Sequence, residues 1–99
     1  MEITLQYFDG CPSWTTVDRR LTELIAGRPD VSLRRELVAT AEQAERIGFR
    51  GSPSILVDGV DPFADPSAPV GLACRIYATP AGPAGAPTTA QLLDVLGDA

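Results

Sequence analysis

With 99 residues, 44% of them hydrophobic and 21% charged, the chain has material for one compact domain, residues 1–99, with a modest core. Its formal charge of −5 and pI near 4.4 exclude a nucleic-acid backbone as the natural partner. No polybasic stretch is present to draw it to an anionic membrane, and all eight cations are arginines.

Ile3, Leu5 and Tyr7 alternate with Thr4 and Gln6, which reads as a strand ended by Asp9-Gly10. Pro12 suits the first turn of a helix, and Trp14, Val17, Leu21, Leu24 and Ile25 recur at spacings of three and four over about 14 residues, up to Gly27 and Pro29. Residues 31–38 alternate again, with enough charge for an edge strand. Thr40 and Gln43 form a capping box ahead of a short helix that Gly48 stops, with Ala41, Ala44 and Ile47 inward. Pro53 introduces the apolar run Ser54–Val57, read as a buried central strand. Residues 60–70, with three prolines and two acids, are a loop. Leu72–Tyr77 reads as a fourth strand, residues 78–87 as a Pro/Gly/Ala loop, and Thr88 with Gln91 caps a last helix buried through Leu92, Leu93, Val95 and Leu96. The predicted order is β-α-β-α-β-β-α: an α/β fold with a four-stranded mixed sheet flanked by helices, the last two strands a hairpin.

Two junctions carry chemistry. In Phe8-Asp9-Gly10-Cys11-Pro12-Ser13-Trp14, Cys11 stands between a strand and a helix N-terminus, where unpaired N–H groups and the helix dipole favour a thiolate. Its plainer reading is a small apolar residue packed beside the turn. In Gly48 to Gly59, the proline that opens the strand leaves the isomer of the Ser52–Pro53 bond open. With two cysteines and no histidine the chain cannot assemble a four-ligand zinc site, so no metal or cofactor is expected and both sulfurs are read as thiols. No run approaches the ~20 apolar residues of a membrane span, and the first residues lack a secretory pattern. The expected location is the cytoplasm, where a lasting disulfide is rare.

These junctions, in this element order from Glu2 to Leu96, resemble the thioredoxin superfamily, whose pattern is Cys-x-x-Cys at a helix start and Gly-x-Pro-Ser/Thr before a later strand. Gly51-Ser52-Pro53-Ser54 fits the second motif and Cys11 the attacking cysteine of the first. The resemblance implies a thioredoxin-like fold, a Pro53 loop lying beside Cys11, and backbone groups of Ser52 offered to an extended substrate. Trp14 stands where the family has its resolving cysteine, which suggests a monothiol member. Cys11 is then the nucleophile and Cys74 or an external thiol the resolver, with Trp14, Ser52 and Pro53 as substrate-binding candidates. Cys74 is also readable as a buried core thiol. The expected partner is a thiol or disulfide, on a protein or a small molecule. Two alternatives stand beside this: a non-enzymatic binding or regulatory module of the same fold, and thiol chemistry on a soft metal, since similar small bacterial proteins carry an organomercurial-lyase label.

Overall fold

The computed structural model describes residues 1–65 and 67–97. Strand β1 (Glu2–Tyr7) is the centre of a three-stranded mixed sheet. Strand β2 (Ser32–Leu37) pairs parallel to it, from Glu2 opposite Ser32 to Tyr7 opposite Leu37. Strand β3 (Ser54–Val57) pairs antiparallel on the other side, Ile3 facing Val57 and Gln6 facing Ser54. Helix α1 (Ser13–Ile25) links β1 to β2, and α2 (Ala41–Ile47) links β2 to β3.

Each helix ends where its residues dictate. The Thr40 hydroxyl accepts from the Gln43 amide to start α2, and Gly48 closes it at φ +71°, a left-handed conformation that glycine adopts without a Cβ penalty. Helix α3 (Thr89–Leu96) opens on a complete capping box between Thr88 and Gln91. At its far end the Arg28 guanidinium donates to the Leu96 and Gly97 carbonyls, a cation placed against the negative end of the helix.

The main core joins Ile3 and Leu5 of β1, Ile55 of β3, Val17 and Leu21 of α1, and Leu92 and Leu96 of α3. A smaller cluster gathers Val38, Ala44 and Phe49, with Phe8 against it. In α2 only Ala44 of the three expected inward residues is buried; Ala41 and Ile47 are exposed, because seven residues present barely one covered position to the strands. Leu93 likewise faces outward from α3.

The carboxyl-terminal strands depart from the expected pattern. Leu72–Tyr77 is not a fourth strand of the sheet, β3 is an edge and not a centre, and the hairpin is made instead by β4 (Tyr77–Thr79) and β5 (Gly82–Ala84), a separate two-stranded sheet inside the stretch read as a loop. Among the described residues the sheet therefore has three strands. The alternation of Leu72–Tyr77 is real, since Arg75 and Tyr77 are buried while Cys74 and Ile76 are exposed. Its inward side chains are long, however, and they stand between this segment and β3: the Tyr77 hydroxyl, not its backbone, donates to the Pro53 carbonyl. What remains of strand pairing is one parallel bridge between Cys74 and Ser52. No helix among the described residues is long and apolar enough to cross a membrane.

Candidate functional site around the Cys11–Cys74 pair

A tight turn follows β1: the Cys11 amide donates to the Phe8 carbonyl at 3.3 Å, and Asp9 and Gly10 project into solvent. Pro12 then caps α1 with helical backbone angles and no side-chain acceptor, so the first N–H groups of the helix keep their positive potential at the cysteine end. Cys11 itself is 1% exposed.

Its sulfur is bonded to that of Cys74, with Cα atoms 5.7 Å apart, inside the usual disulfide range. The expectation of two free thiols is thus corrected, and so is that of Cys74 as a buried core thiol, for its residue is exposed. The two positions lie 63 residues apart and meet because both approach Ser52.

Ser52, fully buried, is the hub of the arrangement. Its hydroxyl accepts from the Phe8 amide at 3.2 Å, fixing the turn before Cys11. Its carbonyl oxygen lies 3.5 Å from Cys11 Sγ and accepts from the Arg75 amide at 2.9 Å, while its own amide donates to the Ala73 carbonyl at 2.8 Å. Both backbone groups of Ser52 are thus taken by the residues flanking Cys74. The Ser52–Pro53 peptide is cis. Gly51, at φ +113°, lets the segment sit flush: a Cβ there would come within 3.0 Å of Arg75 Cβ and 3.2 Å of the Ala73 oxygen.

Cys11, Cys74, Ser52 and Pro53 are therefore one cluster. Trp14 is the second residue of α1, half-buried, its ring stacked on Tyr7 at 4.1 Å between centroids and packed on the main core. Cys74 opens instead onto a groove of roughly 250 Å³ whose walls include Arg50, Phe63, Pro69, Arg75 and Ile76.

The backing of Cys74 comes from residues that sequence reasoning left out of the site. The Arg75 side chain turns away from its neighbour's sulfur into the protein, where Arg75 is 7% exposed. There it pairs with Asp61 at 2.7 Å, donates to Ser54 Oγ and the Phe63 carbonyl, and lies over the Tyr77 ring at 4.6 Å. The signal was in the chain: a single charge inside an otherwise apolar alternating run, with acids in the loop before it. We expect Asp61→Asn to cost on the order of 3 kcal/mol in urea unfolding, since it strips the charge partner from a buried guanidinium. A loss within error of zero would mean that Ser54 and the Phe63 carbonyl suffice.

Tyr77 closes the other side. Burial pushes its hydroxyl well above the ordinary phenol range, so it stays protonated and donates to Pro53. Tyr77→Phe leaves that carbonyl unpartnered and is expected to destabilise by ~1–3 kcal/mol. A pKa raised by folding gives a contribution fully present below the unfolded value of 10.0 and lost as pH climbs past it. Urea unfolding at alkaline pH should therefore weaken the wild type more than Tyr77→Phe; parallel pH profiles would contradict this.

Fold and site together define the molecule's class: a mixed α/β protein carrying an intrachain disulfide with one residue sealed at a helix start and the other at the surface. Comparison with protein-family models, with curated proteins and with solved structures gives no match.

Proposed function

We propose that the chain is a thiol–disulfide oxidoreductase of thioredoxin-like fold, with Cys11 and Cys74 as its redox couple. The observation that carries this reading is the asymmetry of the pair: Cys74 is exposed beside a groove, and Cys11 is buried at the amino end of α1. Exchange proceeds by thiolate attack on an accessible sulfur and departure of the better-stabilised one. An external thiolate attacks Cys74, forming a mixed disulfide there. The Cys11–Cys74 bond breaks, and its electron pair leaves as the Cys11 thiolate, which the helix N-terminus stabilises. A second external thiol clears Cys74, so that two thiols become one disulfide and the protein becomes a dithiol. The Cys11 thiolate then attacks a substrate disulfide, and Cys74 attacks the resulting mixed disulfide. This releases the reduced substrate and restores the Cys11–Cys74 bond. Cys74 thus takes the resolving role that Trp14 vacates in the resemblance to the family. Ser52 and Pro53 would flank an extended substrate, and Trp14 would contribute the wall beyond. In the cytoplasm, where thiols are kept reduced, such a bond is transient and catalytic and not a permanent staple.

Dithiothreitol-driven reduction of insulin tests the reading. The wild type is expected to accelerate it and Cys11→Ser to fall to the uncatalysed rate. Equal rates for the two would remove it.

A further inference from the structure

The segment Gly71–Cys74 occupies the Ser52 amide, a backbone group that the proposed reading offers to a substrate. The Ser52 amide donates to the Ala73 carbonyl at 2.8 Å, the Gly71 amide to the Phe49 carbonyl at 3.0 Å, and the Cys74 sulfur closes over Cys11. Leu72, Ala73 and Cys74 are exposed, and none of them belongs to either hydrophobic cluster. Arg75, the next residue, is held from every side by Asp61, Ser54, the Phe63 carbonyl and the Tyr77 ring. The segment is thus fixed at one end by a buried guanidinium, lightly held by hydrogen bonds along its length, and covalently tied at its cysteine.

We infer that Gly71–Cys74 is a self-bound strap, an internal mimic of the cysteine-bearing peptide that the site would hold, and that the redox state of Cys11–Cys74 decides whether the site is covered. This rests on the reading of the pair as a redox couple. When a thiol reductant opens the bond, two of its thiols are oxidised to one disulfide and the two cysteine sulfurs take up protons. The strap then turns on Arg75, and the Ser52 amide, the Phe49 carbonyl and the Cys11 sulfur become available to an incoming chain. With the bond closed, Cys11 at 1% exposure has no path to a second disulfide. The site therefore opens only in the state that can reduce something, and the oxidised product covers itself. Gly51 belongs to the same device, because only a residue without a Cβ lets Ala73 and Arg75 lie so close.

Backbone amide exchange, followed by NMR on the oxidised protein and on the protein in dithiothreitol, reads this directly. A covalent tether raises the strap's effective concentration at its site, so the Ser52 and Gly71 amides are expected to exchange roughly 10²-fold faster after reduction. In the reduced protein these two amides should exchange with an opening free energy well below that of global unfolding, whereas the Ile3 and Leu5 amides of β1 should follow the global value measured by urea in both states. Cys74→Ser, which cannot form the bond, should show the fast pattern without reductant, and its Cys11 should react with iodoacetamide in the absence of denaturant. Unchanged Ser52 and Gly71 exchange would overturn the inference. Ser52 and Gly71 amides that open only at the global unfolding free energy of the reduced protein, together with Ile3 and Leu5, would also overturn it, because the segment would then open only with the whole fold. Failure of the redox reading appears elsewhere, as absent insulin turnover: a strap that opens in an inactive protein separates the two.

Discussion

Reduction of the Cys11–Cys74 bond is expected to lower the unfolding free energy by about 4 kcal/mol, as the chain-entropy account of a cross-link gives for this separation. The bond joins residues 63 apart, so the unfolded chain that carries it is a large closed loop with far fewer conformations. For a chain of this size the corresponding drop in Tm is roughly 15–30 °C. The main core needs neither sulfur: Ile3, Leu5, Val17, Leu21, Ile55 and Leu92 make it from β1, β3, α1 and α3. The reduced protein should therefore still unfold cooperatively, at a lower urea midpoint. Coincident curves for the oxidised and dithiothreitol-treated protein would show that the unfolded state is not constrained in this way.

The second large effect separates the two cysteines by role. On the proposed mechanism Cys11→Ser removes the group that attacks substrate, and insulin reduction should fall to background. Cys74→Ser leaves that attack intact and removes the resolving thiol, so the protein should accumulate as a mixed disulfide on Cys11 when offered oxidised glutathione. Mass spectrometry of the quenched mixture distinguishes them: a stable Cys11 adduct in Cys74→Ser, and a Cys74 adduct in Cys11→Ser that plays no part in turnover. Both variants lose the same bond, so a difference in activity between them cannot be assigned to stability. Identical adduct levels and identical residual activity would leave the division of labour without support.

The regular part of the fold was legible in the sequence. Strand periodicity at Ile3–Tyr7, the stripe of α1, the capping box at Thr88, the N-cap of Thr40 (whose Gln43 side chain accepts from the Ala39 amide and so completes no box) and the stop at Gly48 are local, and local patterns survive folding. The hairpin of β4 and β5 was hidden because proline and glycine dominate it, and its pairing of Tyr77 with Ala84 leaves little hydrophobic alternation to read. Leu72–Tyr77 misled for a different reason. Its alternation is genuine, but Arg75 and Tyr77 face inward as polar anchors, so the segment makes a single bridge where a ladder was expected. At the site, Cys11, Ser52 and Pro53 could be chosen as residues, yet their meeting with Cys74 depends on a loop whose path no periodicity specifies. Asp61, Arg75 and Tyr77 were not chosen as site residues: the lone charge inside the apolar run Leu72–Tyr77 marked a buried anchor, but its pairing with Asp61 and the Tyr77 contact to Pro53 depend on how the preceding loop folds. Pro66, counted among the prolines of that loop, lies outside the described residues.

The most direct test of the couple is its response to glutathione under native conditions. Protein equilibrated over a range of reduced-to-oxidised glutathione ratios, quenched by alkylation and weighed, should pass reversibly between a fully oxidised and a fully reduced form, and glutathione caught as reduced glutathione opens the oxidised protein should sit on Cys74. A bond that yields only after denaturant is added, with no adduct at Cys74 on the way, would mark it as a structural cross-link and contradict the account.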